Sequence, residues 1–286
     1  MAVYTEVSFD EASTFLASLH LGNLQTMEGC SGGIENTNYF ATTDQGAYVL
    51  TLFERLNHEQ LPFYLFLMKH LADKGIPVPN PAANADGDIL HTVANKPAAV
   101  VNRLNGKSQL QPEVVHCAQL GMMLARMHLA GKDYNRHQSN LRGLTWWNET
   151  VPVVLPFLNT SQSSLIQSEL AFQNHVAKSS AYAALPCGPV HADLFRDNVM
   201  FEGATLTGLF DFYFAGVDTW LFDLAVCMND WCIDLQTGEH ASDRAEAMLE
   251  AYQAVRPLRP AAAQPARPRD GVQRACPDRK LGRRLA

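Results

Sequence analysis

His191-Ala192-Asp193-Leu194-Phe195-Arg196-Asp197-Asn198 is the stretch from which the rest of this chain is read. Its pattern is H-x-D-x-x-x-x-N: a carboxylate two positions after a histidine, then a side-chain amide five positions further on. Phosphoryl transfer needs a carboxylate to orient the attacking hydroxyl and accept its proton, and an oxygen ligand for a divalent ion close by. A loop of this length turns both side chains into one site. Asp193 takes the first role and Asn198 the second. A further carboxylate is required to bridge the ion to the phosphates. It follows at Leu209-Phe210-Asp211-Phe212, expected on a strand after the Gly203-Ala204 turn. Mg²⁺ is a hard cation that prefers such oxygens. Asp and Asn also terminate ordinary turns, but the order and spacing of these three favour a shared site. The chemistry implied is Mg²⁺-assisted transfer of the γ-phosphoryl group of ATP to an alcohol.

Outward from this loop the chain changes character. Ser8 followed by Glu11 reads as a capping box opening a short helix over 8–20. Asn38–Thr42 and Ala47–Phe53 flank an Asp44-Gln45-Gly46 turn and predict an antiparallel hairpin. A helix is expected over 58–74, closed by Gly75 and blocked by Pro77 and Pro79. Ile89–Thr92 and Ala98–Arg103 read as strands. From 112–130 onward helices dominate, with strand-like pieces at 188–191, 198–201 and 206–212. The fold class is α+β: a small antiparallel β-rich lobe over 1–104 that binds the nucleotide, and a larger helical catalytic and substrate-binding lobe over 105–255. The cleft is expected near 102–106. Residues 256–286 hold nine Lys or Arg, two Asp and five Pro. Such a segment cannot bury enough surface to offset its ordering entropy, so disorder is expected there. Its onset after Leu258 resembles a change of reading frame.

Apolar residues make up 47% and charged residues 18% of the chain, an ordinary globular balance. The net charge of -7 argues against a general nucleic-acid binder. Cys30, Cys117, Cys187, Cys227, Cys232 and Cys276 form no C-x-x-C pair and read as free thiols of a reducing compartment. No signal peptide and no apolar run of membrane-spanning length are seen. The expectation is a soluble, cytoplasmic protein.

With these residues in hand, the chain resembles the aminoglycoside phosphotransferase and choline kinase superfamily, and most closely its bacterial homoserine kinase branch. The catalytic loop and Asp211 carry the superfamily likeness. Gly33-Ile34-Glu35-Asn36-Thr37-Asn38-Tyr39-Phe40, Tyr48–Glu54, Leu61–Tyr64, Gly75–Pro79, Arg142–Trp147 and Cys227–Cys232 point to the branch. The resemblance covers residues 1 to about 258. It implies a two-lobed protein-kinase-like fold, ATP and Mg²⁺ as cofactors, and phosphorylation of L-homoserine to O-phospho-L-homoserine. It also implies that Ser31, Gly32 and Gly33 cover the phosphates with backbone N–H groups, and that Val101 and Arg103 lie in the adenine-binding hinge. Thr51 stands where related kinases place a phosphate-binding lysine. Arg55 and Arg196 are candidate replacement cations, although a solvated surface arginine is the better reading of each. Glu59 is a candidate for the helix glutamate that pairs with that lysine. Asp218–Ala225 resembles the helix start that follows the metal-binding Asp in these kinases. There Asp223 either buttresses the catalytic loop or caps the helix. Members of the family continue with further helices, so the atypical tail implies uncovered apolar surface.

Homoserine is a zwitterion. Arg142, in a compact Arg-Gly turn beside Trp146 and Trp147, suits its carboxylate, or is a structural arginine. Asp230 suits the ammonium, or is a helix-surface carboxylate. His191 is expected to support the loop by hydrogen bonding, and His128 to be a core histidine with a satisfied ring nitrogen. Two other readings stand beside homoserine kinase: a kinase for choline, methylthioribose, an aminoglycoside or another hydroxylated amino acid, and a nucleotide-binding pseudokinase.

Overall fold

The computed structural model describes residues 4–30 and 35–258. Ser31, Gly32, Gly33 and residues 259–286 of the tail lie outside them. In chain order the elements are α1 (Phe9–Ser18), β1 (Leu24–Gly29), β2 (Asn36–Thr43), β3 (Ala47–Phe53), α2 (Pro62–Asp73), β4 (His91–Val93), β5 (Lys96–Asn102), β6 (Lys107–Ser108) and α3 (Val114–Ala130). They continue with α4 (Leu144–Val154), α5 (Thr160–Ala177), α6 (Ser180–Ala183), β7 (Cys187–Val190), β8 (Val199–Glu202), β9 (Thr205–Leu209), β10 (Gly216–Thr219), α7 (Trp220–Trp231) and α8 (Ser242–Val255). Two compact units result: residues 4–109 with Val199–Phe210, and Leu110–Asn198 with 211–258. The hairpin of β8 and β9 therefore groups with the first unit, although it follows the catalytic loop in sequence. Lys107 pairs with Phe201 across β6 and β8, a long-range register that no local pattern reveals.

The first unit is built on a five-stranded antiparallel sheet in the order β1-β2-β3-β5-β4. Ala12 and Leu16 of α1, with Leu19 just past its end, form an apolar core with Leu24, Tyr39, Ala41, Leu50, Leu52, Ala98 and Val100. Side chains alternate along a strand. Asn38, Phe40, Val49, Thr51, Ala99 and Val101 consequently share the opposite face, since Asn38 pairs with Thr51, Phe40 with Val49, Thr51 with Ala99 and Val49 with Val101. β1 escapes a sequence reading because its Leu24–Gly29 segment buries only Leu24 and so shows no alternation.

Two details depart from the sequence reading. Ser8 Oγ accepts from Glu11 N at 3.2 Å, but the Glu11 carboxylate accepts from Ala94 N at 3.2 Å, so the expected reciprocal box is replaced by a long-range bond. The helix expected from residue 58 starts at Pro62. Asn57 Oδ1 accepts from the backbone N–H groups of Glu59 and Gln60, which holds Glu59 in a turn ahead of the helix. Beyond α2, Gly75 adopts φ +77°, the left-handed stop that its position predicts.

In the second unit α8 packs along α3. The stripe of Leu120, Gly121, Leu124 and His128 is spaced for one helix face and is buried, as are Ala245, Met248 and Tyr252 of α8. Gly121 permits the approach: a Cβ there would lie 2.2 Å from Met248 O. β7 and β10 form a two-stranded antiparallel ribbon leading into α7. α4 and α5 pack on each other but leave Val153, Phe157, Leu165 and Phe172 exposed, and α5 buries no residue. Among the described residues no helix is long and apolar enough to cross a membrane, and the five described cysteines are free.

Candidate active site

The loop 191–198 begins where β7 ends. Ala192 has φ +66°, a left-handed conformation that costs a residue with a Cβ of order 1 kcal/mol. The carboxylate of Asp223, on α7, holds it there. Asp223 Oδ2 accepts from His191 N and Oδ1 from Ala192 N, both at 2.9 Å. The cap of α7 is Thr219 instead, whose side chain accepts from Phe222 N. His191 Nδ1 accepts from Asp193 N at 3.3 Å. At the far end, Asn198 Nδ2 donates to Asp193 O at 2.8 Å and to Asp193 Oδ2 at 3.2 Å. These bonds draw the carboxylate and the amide together across the five-residue loop. They also leave Asn198 Oδ1 without a partner among the described residues. The loop is pinned from below by Trp231, whose Nε1 donates to Leu194 O at 3.0 Å.

Asp211 does not lie on a strand, as the sequence suggested. β9 ends at Leu209, and Asp211 adopts φ 65°, ψ 59° ahead of a 3₁₀ turn over Phe212–Phe214. A non-glycine residue in this region is held by its surroundings. The next ring, Phe212, packs on His191 with centroids 4.4 Å apart. Val190 pairs with Gly216, so the segment 211–215 enters the β7–β10 ribbon opposite the start of the loop. Register and ring packing together set the turn that follows Asp211 against His191, at the start of the loop.

Behind the loop lies a buried polar chain. His128 Nε2 donates to Asp223 Oδ2 at 2.9 Å, and Tyr252 OH donates to His128 Nδ1 at 2.8 Å. His128 stacks on Trp220 at 5.5 Å, and the Arg256 guanidinium lies 4.5 Å above the other ring of that pair, Trp220. Burial holds the His128 pKa below its ordinary 6.5, against the pull of Asp223. Burial would raise that of Asp223, but the hydrogen bonds from His128 and the backbone of His191 outweigh it and keep the carboxylate ionised. Both folded-state values therefore lie below the unfolded ones, so the unfolded chain binds more protons as pH falls. Stability carried by this chain is present above pH 6.5 and decreases in acid, first as unfolded His128 protonates and then as pH falls through the folded value of Asp223. The melting temperature is expected to fall steadily from pH 7 to pH 4.5, and less steeply between pH 6.5 and 5 in His128→Gln. A His128→Gln profile parallel to wild type across that interval would contradict the assignment. Sequence reading anticipated a satisfied His128 but not Tyr252, whose partner lies 124 positions away.

The model of the "phosphotransferase enzyme family" matches residues 26–264. The chain belongs to this family. Among curated relatives, the homoserine kinase of Polaromonas naphthalenivorans (strain CJ2) is 67% identical over 258 residues, covering 90% of this chain and 82% of that protein. The homoserine kinase of Janthinobacterium sp. (strain Marseille) is 54% identical over 90% of this chain and 80% of its own. Among solved structures, an amicoumacin kinase in complex with AMP-PNP, Ca2+ and Ami superposes with a TM-score of 0.64 at 18% identity, covering 86% of this chain and 78% of that one. A choline kinase from Cryptosporidium parvum Iowa II gives 0.56 at 12% identity, over 81% and 73%. The fold is thus protein-kinase-like and α+β, and the chain is a phosphotransferase.

The remaining residues of this phosphotransferase separate into two groups. Arg196 is buried. Its N and Nε donate to Asp230 Oδ2 at 2.7 and 3.1 Å, and its guanidinium also bonds the carbonyls of Leu110, Asp230 and Ile233. It is a structural tie between the catalytic loop and the end of α7, which disfavours it as a phosphate cation and disfavours Asp230 as an ammonium receptor. Arg55 forms an exposed pair with Glu35 at 3.3 Å. Arg142 is different. It is exposed, with its guanidinium 4.9 Å from the Trp146 ring and 5.4 Å from that of Phe214, three residues past Asp211. Asn140, which sequence reading missed, clamps this turn: its Oδ1 accepts from Arg142 N at 2.9 Å and its Nδ2 donates to Asp218 at 2.8 Å. In the first unit, Thr51 and Val101 share one sheet face. Arg103 follows β5 with its guanidinium 4.1 Å over Phe40 of that face.

Proposed function

We propose that this phosphotransferase is a homoserine kinase that uses ATP and Mg²⁺. The observation that carries the reading is the Asp193–Asn198 pairing in a loop held by Asp223, on a chain 67% identical to a curated homoserine kinase. Asp193 orients the side-chain hydroxyl of homoserine. As that oxygen forms its bond to the γ-phosphorus, the bond to the ADP oxygen breaks and the hydroxyl proton passes to Asp193. Asn198 Oδ1 and the carboxylate of Asp211 are hard oxygen donors of the kind Mg²⁺ takes. Among the described residues no cluster of three His, Cys, Asp or Glu side chains offers a softer site. When bound, the ion would neutralise phosphate charge. Thr51, Val101 and Arg103 are assigned to the nucleotide-binding face, together with Ser31, Gly32 and Gly33 outside the described residues. Arg142 is assigned to the homoserine carboxylate, because it is an exposed guanidinium whose turn is fixed by Asn140 while its own donors are not used by a carboxylate of the described residues.

Purified protein tested for Mg²⁺-dependent ADP release with homoserine, choline, methylthioribose and kanamycin should respond to homoserine alone. Selective turnover of another alcohol would overturn the substrate, and nucleotide binding without any turnover would favour a pseudokinase. Arg142→Ala should raise the homoserine KM about tenfold or more, as loss of a charge-assisted bond implies, with the KM for ATP unchanged. An unaltered homoserine KM would remove Arg142 from the site.

A further inference from the structure

The sheet face opposite the α1 core mixes polar and apolar positions, with Asn36, Thr42 and Glu28 towards its margins and Phe40, Val49, Ala99 and Val101 nearer its middle. Phe40, Val49, Ala99 and Val101 surround one polar pair, Thr51 and Asn38, which face each other across the β2–β3 register. Thr51 is 7% exposed, and its Oγ1 donates to Asn38 Oδ1 at 2.7 Å. A buried hydroxyl and a half-buried amide, flanked by Phe40, Val49 and Ala99, carry a desolvation cost that a single mutual hydrogen bond only partly offsets. The bond also orders the amide. With Oδ1 engaged by Thr51, the two hydrogens of Asn38 Nδ2 have no acceptor among the described residues. Pairing the hydroxyl to a neighbouring amide would be pointless for packing alone, since two aliphatic side chains would fill the same space without this cost. The pair is built to present a donor.

We infer that Asn38 is a nucleotide-binding residue, its Nδ2 donating to an oxygen of the triphosphate, and that Thr51 is the positioning residue that fixes its amide. This rests on the reading of the chain as an ATP-dependent kinase and deepens it. Thr51 stands where related kinases carry a lysine, and a hydroxyl cannot supply that charge. The geometry assigns Thr51 a different task. It acts through Asn38, so that a neutral donor occupies the place of a cation. Neither of the two arginines considered as replacements needs to be moved to fill it: Arg196 is tied to Asp230 and Arg55 to Glu35. A neutral amide donates to phosphate oxygen without a net charge, which leaves charge neutralisation to the divalent ion.

The test titrates a fluorescent ATP analogue into the full chain, with Mg²⁺ present, so the readout does not depend on which alcohol is the acceptor. Asn38→Ala and Thr51→Val should each weaken nucleotide binding about tenfold, the size expected for one hydrogen bond to a charged acceptor. Thr51→Ser, which keeps the hydroxyl, should restore wild-type affinity. The double variant Asn38→Ala/Thr51→Val should bind no more weakly than Asn38→Ala, because Thr51 acts only through the amide. Asn38→Asp, similar in size but negative, should weaken binding more than Asn38→Ala and serves if the alanine variant does not fold. In turnover assays the KM for ATP should rise while that for homoserine stays constant. Equal affinity in wild type and in a folded Asn38→Ala or Asn38→Asp chain would overturn the assignment and leave the kinase reading intact. A double variant weaker by the product of the two single effects would overturn the role of Thr51. A wild-type chain that bound no nucleotide would overturn both this inference and the proposed function.

Discussion

Asp193→Asn is expected to lower kcat by about a thousandfold while leaving nucleotide affinity within about twofold, as removal of a general base at the reacting oxygen implies. The substitution is nearly isosteric, and the loop has the means to survive it. Asp193 N still donates to His191 Nδ1, and Asn198 Nδ2 still donates to Asp193 O. The 3.2 Å contact from Asn198 Nδ2 to the Asp193 side chain changes character, but an amide oxygen there can still accept. The variant thus retains the fold and loses the proton acceptor. kcat and kcat/KM for homoserine should fall together, because the lost interaction belongs to the transition state. Steady-state kinetics on the variant, beside nucleotide titration, reads this directly. A variant with more than about a tenth of wild-type kcat would refute proton acceptance by Asp193, since base catalysis contributes about 10²-fold or more.

Asp223→Ala should cost about 3–5 kcal/mol of stability, because it leaves three donors without an acceptor at about 1–3 kcal/mol each. That is a large fraction of the ~5–15 kcal/mol available to a protein. Three donors lose their acceptor at once: the buried His191 N and His128 Nε2, and the half-buried Ala192 N. The left-handed turn at Ala192 then has nothing to hold it, and the loop relaxes away from the geometry that pairs Asp193 with Asn198. Urea denaturation should show the loss. The melting temperature should drop by about 10 °C, given ~2–4 °C per kcal/mol for chains of this size. Activity should fall even at temperatures where the variant remains folded. Tyr252→Phe, which removes only the outermost link of the same chain, should cost about 1 kcal/mol. An Asp223→Ala protein as stable as Tyr252→Phe would show that the carboxylate does not hold the loop.

The reaction class was legible in the sequence because phosphoryl transfer places its demands on a short loop. Asp193 and Asn198 are separated by five residues, and a local turn suffices to bring them together. The β2–β3 hairpin, α3 and the Gly75 stop were legible for the same reason, since alternation, helical spacing and turn chemistry are local. What the sequence left open was decided at long range. Asp223 could be read as a cap or a buttress, and only the packing of α7 beneath the loop makes it the acceptor for Ala192. Arg196 reads as a surface arginine beside the catalytic carboxylate, yet folding buries it against Asp230 and three carbonyls. Asp211 reads as a strand residue, but its left-handed backbone comes from the turn that lays Phe212 on His191. Tyr252 and Asn140 belong to no motif, and Asn38 lies in a family-like stretch that gives it no role. Each is tied by a hydrogen bond to a residue 13 to 124 positions away. Local order thus determined the chemistry and the element types, because it depends on spacing along the chain. The supports of the site were decided by tertiary structure alone, because a hydrogen bond between distant segments depends on their packing and leaves no periodicity in the sequence.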